Sequence, residues 1–276
     1  GQRSMPELPD VALFERHLEA TALRREIVSL QVKDGRILVG VSAQALARRL
    51  KGASFTGTRR HGKHLLVELD KGGWLTLHFG MSGGLEFFEE MTDEPPYDRV
   101  RFDFEGGGHL AYTSRRMLGR VGFAEDAERF IAHEKLGPDA LDRAFDLPAF
   151  RKAFSKGRRG IKSALMDQST MAGVGNIYSD EILFQAGLRP DTRVDDLAEQ
   201  ELARLFATMR GVLTRAVELG AGSEQSLERL PADYLLPHRH KDGRCPRCGA
   251  ALRMLKASGR TAYYCARCQN GSAPRR

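Results

Sequence analysis

The sequence predicts an α+β protein: an N-terminal antiparallel β-sandwich carrying one helix, a helical second domain, and a C-terminal β-hairpin closed on metal by four cysteines. Three observations predict it. Short β-branched and aromatic segments fill the first half, longer helical periodicities follow Leu141, and a basic tail from Pro237 onward carries two C-x2-C pairs. A chain of 276 residues suffices for two domains and a small appendage. The boundaries fall at 5–140, 141–236 and 237–270, with residues 1–4 read as an addition outside the fold.

Taken in order, Val11, Phe14 and Leu18 share one face of a helix spanning 10–21. Strands are expected at 27–32, 64–69, 74–79, 84–88, 100–104 and 109–113, each bounded by Gly or Asp turn signals. Helices are expected at 148–154, 161–168, 179–186, 197–218 and 224–230, with Gly and Pro as stops. The tail lacks the apolar mass for a core of its own, so metal must hold it.

Composition narrows the partners. Hydrophobic residues make up 41% and charged residues 29%, ordinary for a globular protein, and no apolar stretch approaches the roughly 20 residues of a membrane span. Lys and Arg number 43 against 36 Asp and Glu, so polyanions are the natural ligands. With no secretory signal in view, a cytoplasmic, reducing setting is expected, where paired cysteines bind metal rather than form disulfides. Gly-x-x-x-x-Gly-Lys-Ser/Thr and His-Glu-x-x-His are both absent, which removes the commonest nucleotide-binding and metalloprotease constellations.

Cys245 and Cys248 form one pair and Cys265 and Cys268 the other, sixteen residues apart. That spacing lets a β-hairpin bring four thiolates to one tetrahedral Zn2+ with no open position, a structural metal. Between the pairs the hairpin displays Arg253, Lys256 and Arg260 toward phosphates. Upstream, Gly173 and Gly175 sit between two helices, where backbone amides at the second helix start can bind a phosphate oxygen and Asn176 adds a side-chain donor. A basic run, Arg151, Lys152, Lys156, Arg158, Arg159 and Lys162, adjoins that junction and suits a nucleic-acid backbone.

These residues, with Met5-Pro6-Glu7-Leu8-Pro9, Lys63, His78-Phe79-Gly80-Met81-Ser82-Gly83 and Leu136-Gly137-Pro138, resemble the formamidopyrimidine-DNA glycosylase / endonuclease VIII family over residues 5–269. The resemblance implies a β-sandwich, a helix-two-turn-helix domain and a zinc finger. It implies damaged or abasic double-stranded DNA held between the lobes, the damaged nucleotide flipped out, and a monomer. It implies that Pro6, exposed as the terminal amine, attacks C1′ of the sugar, that Glu7 protonates the opening ring, and that Lys63 contacts phosphate. Met81, Arg116 and Leu118 would occupy the gap and face the orphaned base, while Lys162, Asn176 and Arg260 would grip the backbone. The alternative is a non-catalytic binder of damaged or abasic DNA on the same scaffold. Three departures stand out: Asp10 where the family usually has Glu, Ser114-Arg115-Arg116-Met117-Leu118 where it has Asp-Pro-Arg-Arg-Phe, and a short segment between Leu219 and Pro237.

Overall fold

The computed structural model of the chain describes residues 5–155 and 159–270, so the expectations for residues 1–4, Lys156 and Arg158 lie outside the described residues. Two compact units are formed, one of 10–134 with 5–6, the other of 135–270 with 7–9. No helix among the described residues is long and apolar enough to cross a membrane.

Helix α1 (Leu8–Ala22) comes first, then β1 (Ile27–Val32), β2 (Leu38–Val39) and α2 (Ala43–Leu50). They are followed by β3 (Phe55–His61), β4 (His64–Leu69), β5 (Trp74–His78), β6 (Gly83–Phe88), β7 (Asp98–Phe104), β8 (His109–Ser114), β9 (Arg120–Ala124) and α3 (Ala127–His133). One sheet runs β1-β7-β8-β6 and the other β2-β9-β5-β4-β3, and only the β2–β9 pair is parallel. Alternation does the packing: Leu65 and Val67 of β4 and Leu75 and Leu77 of β5 meet Phe102 of β7 and Leu110 of β8 in one core, all fully buried. Each such side chain contributes about 1.5–3 kcal/mol relative to exposure.

Strand β3 was outside the expectation because Phe-Thr-Gly-Thr-Arg-Arg-His has almost no apolar alternation. It is an edge strand, and its register against β4 (Arg59 opposite Leu66) comes from the partner rather than from its own pattern. Strands β2 and β9 and helices α2 and α3 are likewise outside the expectation, each being short, from two to eight residues.

The outer face of the second sheet carries Leu66 and His64, roofed by α3: Phe130 meets His64 edge-on at 5.6 Å, and the His64 and His78 rings lie 4.7 Å apart. A cavity of about 140 Å³ opens there between Thr76, His78, Arg120, Phe130 and Glu134. Burial, with the Arg120 charge adding to it, pushes His64 down to about 3 and His78 down to about 4.

The turn after β5 determines where Met81 lies. Gly80 has φ +58, and a Cβ there would sit 2.2 Å from the Leu118 carbonyl, so the 79–82 turn and the 115–119 loop run in direct contact. Gly119 is equally constrained: the Tyr112 hydroxyl occupies its Cβ position and donates to the His78 carbonyl at 2.7 Å. The result is that the Arg116 Nη1 lies 3.6 Å from the Met81 sulfur, while Leu118 is 51% exposed, the most exposed of the large apolar side chains.

The second unit contains α4 (Leu147–Phe154), α5 (Ile161–Met166), α6 (Asn176–Ala186), α7 (Glu199–Leu219), β10 (Arg253–Ala257) and β11 (Arg260–Tyr264). Helix α6 is its centre: Ile177, Tyr178, Ile182 and Leu183 are buried against Leu205, Met209 and Leu213 of α7 and Phe150 of α4. Two expectations are corrected here. The helix expected at 224–230 is only a single tight turn, Leu227–Arg229, because Ser226 takes a left-handed φ of 54 that interrupts helical propagation. Helix α6 starts at Asn176 rather than 179, capped by the extended Gly175.

Two outcomes test this description. The folded unit keeps His64 and His78 neutral where an unfolded chain protonates them. Their contribution to stability is therefore complete above about pH 6.5 and is lost as pH falls through about 4 and then about 3. The thermal midpoint should drop between pH 7 and 4.5, and His64→Leu should flatten that drop; an unchanged slope refutes the assignment. Gly80→Ala should cost about 1–3 kcal/mol in denaturant unfolding, from left-handed strain plus the Leu118 clash, and a neutral outcome would remove Gly80 as the organiser of this turn.

Candidate nucleic-acid interface

The second unit is organised at the head of α6. Gly173, at φ +123, leaves room for Leu8, whose amide donates to the Gly173 carbonyl at 3.0 Å. Gln168 holds the same turn from the other side, accepting from Gly173 N at 3.0 Å and donating to the Val174 carbonyl at 2.7 Å. Gly175 caps α6 without a side chain, so the orphan amides of the first turn need another acceptor. Glu7 supplies it. Its carboxylate takes Gly175 N at 2.7 Å, Ile177 N at 2.8 Å and Tyr178 N at 3.1 Å, and the residue is 1% exposed. The expected phosphate site on these amides is thus corrected: an internal anion already holds them, with the helix dipole favouring it.

One turn further along α6 lies a buried ionic chain. The Lys162 ammonium, fully buried, donates to Asp180 Oδ1 at 2.6 Å, to Ser179 Oγ at 2.9 Å and to the Asn176 carbonyl at 2.9 Å. Asp180 Oδ2 then accepts from Arg239 Nε at 2.8 Å and from Tyr263 N at 3.1 Å. Burial pushes the Lys162 ammonium below the ordinary lysine range, opposed by Asp180. The expected backbone contact of Lys162 is corrected accordingly, since all three N–H donors are spent inside the fold. The rest of the described basic run is partly tied as well: Arg151 pairs with Glu199 at 3.1 Å and Arg159 with Asp167 at 2.5 Å, leaving Lys152 exposed. Asn176 is half-buried, and its Oδ1 has no hydrogen-bond partner among the described residues.

In the first unit, Lys63 sits in the two-residue turn between β3 and β4 and is 7% exposed, a buried lysine rather than a surface one. Asp10 is likewise buried, at 7%. The Met81, Arg116 and Leu118 expected to act together are brought together, as described above. Tyr97, unremarked in the sequence, is exposed at φ 65 with the Arg99 and Arg115 guanidinium groups 5.8 and 5.7 Å from its ring centre.

The four cysteines converge. All four Sγ atoms lie within 4.8 Å of one another, with Cys245 to Cys268 at 3.7 Å and Cys248 to Cys265 at 3.5 Å. Tetrahedral zinc with Zn–S bonds of about 2.3 Å requires sulfurs about 3.8 Å apart, so the donor set fits one structural Zn2+. The hairpin packs Cys245, Leu252 and Cys265 on Phe184 of α6, and Gln269 links the Cys265 amide to the Leu188 carbonyl, at 2.7 Å each. Ser258 (φ 48) and Gly259 (φ 73) form the β10–β11 turn, the left-handed pair a tight hairpin demands, and Arg260 follows it, exposed at the tip. The Ser258 hydroxyl also meets Ser163 of α5.

Asp180 and Arg239 were not singled out from the sequence. An acid one turn after a glycine cap was the available signal for Asp180, whereas Arg239 is one of many basic residues in the tail and carries none.

Comparison with known proteins agrees with this arrangement. Residues 5–121 match the formamidopyrimidine-DNA glycosylase N-terminal domain, 136–228 the formamidopyrimidine-DNA glycosylase H2TH domain, and 243–271 the zinc finger found in FPG and IleRS. The formamidopyrimidine-DNA glycosylase of Moorella thermoacetica is 35% identical, covering 96% of this chain and 92% of its own. That of Yersinia enterocolitica is 34% identical, covering 96% and 100%. Among solved structures, the Lactococcus lactis enzyme in complex with FAPY-dG containing DNA superposes with a TM-score of 0.87 at 28% identity, covering 95% of this chain and 99% of that one. The same enzyme bound to AP site containing DNA gives 0.84 at 27% identity, again covering 95% and 99%. With a β-sandwich, a helical unit built on a glycine-capped helix, and a four-cysteine hairpin in this order, the chain belongs to the formamidopyrimidine-DNA glycosylase family of DNA repair enzymes.

Proposed function

We propose that this glycosylase excises oxidised bases from duplex DNA and then cleaves the abasic strand, with Pro6 as nucleophile when it stands as the terminal amine. What carries the reading is Glu7: three backbone amides fix its carboxylate at the head of α6, beside Asn176, and its neighbour in the chain is Pro6. An α-amino group titrates at about 7.7–8.0, so a substantial fraction is unprotonated at neutral pH. Its lone pair adds to C1′ as the C1′–N glycosidic bond breaks and the base leaves with that electron pair. As the C1′–N bond to the proline forms, the Glu7 carboxylate takes the proton from the amine nitrogen and passes it to the ring oxygen as the sugar opens, leaving the secondary amine as the cationic iminium. Loss of a C2′ proton into that electron sink expels the 3′ phosphate, and a second elimination expels the 5′ phosphate.

The protein grips its DNA from both units in this reading. Lys63 contacts the phosphate beside the lesion, and Asn176 and Arg260 hold the adjoining backbone. Met81 and Leu118 fill the space left by the flipped nucleotide, with Arg116 toward the orphaned base. Zinc supplies no chemistry; its cysteines keep the hairpin that bears Arg260 in shape. The enzyme works as a monomer on damaged or abasic duplexes.

Protein beginning at Pro6, incubated with a lesion-bearing duplex and borohydride, should give a covalent protein–DNA adduct that Pro6→Gly weakens and N-terminal acetylation abolishes. Tight binding with no adduct and no strand cleavage would establish the non-catalytic binder instead. Removal of zinc with a strong chelator, or Cys248→Ser, should lower affinity for an abasic-site duplex by tenfold or more, which corresponds to about 1.4 kcal/mol, while the pH-dependent unfolding of the sandwich is retained. Undiminished affinity would exclude the hairpin from the DNA contact.

A further inference from the structure

Asn176 and Arg260 lie far apart in sequence, yet one buried ionic chain reaches the backbone beside both. Lys162 Nζ donates to the carbonyl of Asn176 itself at 2.9 Å and to Asp180 at 2.6 Å. Asp180 accepts from Tyr263 N at 3.1 Å and from Arg239 Nε at 2.8 Å. Arg239 in turn donates to the Thr261 carbonyl at 3.3 Å, next to Arg260, and its guanidinium lies 5.0 Å from the centre of the Tyr263 ring. On the other flank of Arg260, the Ser258 hydroxyl is tied to Ser163, the residue after Lys162. The four cysteines lie at the far end of the hairpin, whereas the polar contacts near its tip come from Asp180, Arg239 and Ser163.

We infer that Asp180 and Arg239 are positioning residues for DNA binding. Through them the Lys162–Asp180–Arg239 chain sets the spacing between Asn176 and Arg260, so that both meet one run of sugar-phosphate backbone without rearrangement. A buried ion pair is a poor source of stability but a stringent geometric constraint, because a carboxylate with three charged or polar donors has few arrangements that satisfy all of them. The inference rests on the reading of Arg260 as a phosphate contact, and the following experiment separates the two.

Zinc-loaded protein is titrated with a duplex carrying a tetrahydrofuran abasic analogue over a range of salt concentrations, for the parent, Arg239→Gln, Arg260→Ala and the double variant. Arg260→Ala should weaken binding and reduce the slope of log K against log salt by about one. Arg239→Gln should weaken binding about tenfold with a similar loss of slope, retain one zinc per chain, and add no more than about twofold in the Arg260→Ala background, the non-additivity of residues acting through one another. Should Arg239→Gln lose zinc or unfold, Lys162→Met with Asp180→Leu and Arg239→Met removes the whole ionic chain without stranding a buried charge and is held to the same cycle. Full additivity with Arg260→Ala, or parental binding by Arg239→Gln, overturns the positioning role while leaving Arg260 as a contact. Parental binding and slope by Arg260→Ala overturns both.

Discussion

Helix α6 is buried along nearly its whole length, yet it carries Asp180 and Glu181 and receives the carboxylate of Glu7 at its first turn. A carboxylate removed from water without partners is prohibitively unfavourable, so each of the three must be answered locally. Glu7 takes the helix's own orphan amides. Asp180 takes Lys162, Arg239 and the Tyr263 amide. Glu181 accepts from Gln185 Nε2 and Leu236 N, both at 2.8 Å, and burial still pushes it up to about 8. Answering these groups recruits residues 7–9, helix α5, the segment after α7 and the zinc hairpin around one helix, and thereby assembles the face that bears Asn176 and Arg260.

The first unit solves a different problem. Its sandwich is held by ordinary apolar alternation, and Met81, Arg116 and Leu118, expected to face DNA, lie on two loops with little core of their own. Close approach fixes those loops: Gly80 against the Leu118 carbonyl and Gly119 against the Tyr112 hydroxyl leave space for no side chain. Such contacts are steric and permit little latitude, which suits loops that must hold an exposed leucine and an arginine in place.

Polar constraint and stability are separate in this protein. The Lys162–Asp180 pair adds little net stability relative to apolar replacement, although removing one partner alone costs about 3–5 kcal/mol because the other is left buried and unpaired. The tail shows the same separation with metal: its small cluster of Cys245, Leu252 and Cys265 on Phe184 cannot hold a fold, and four thiolates on one Zn2+ can.

Much of this was legible in the sequence wherever a residue's role depends on its near neighbours. Apolar alternation placed β1, β4, β5, β6, β7 and β8 because those strands contribute their own buried face, and C-x2-C spacing placed the metal because ligand geometry is local. The resemblance of Pro6-Glu7, the Gly-Met-Ser-Gly turn and the glycine junction to one family supplied the chemistry. Edge strand β3 was illegible because its partner, not its composition, makes it a strand. Lys162 was misread for a deeper reason. A lysine in a basic run is indistinguishable from a phosphate ligand until the position of Asp180 is known, and the carboxylate that claims it lies 18 residues away. The sequence by itself determined which elements form and which residue types could bind metal and DNA. Only the tertiary structure decided which charges face solvent and which neutralise one another, because that allocation depends on desolvation and on partners distant in the chain.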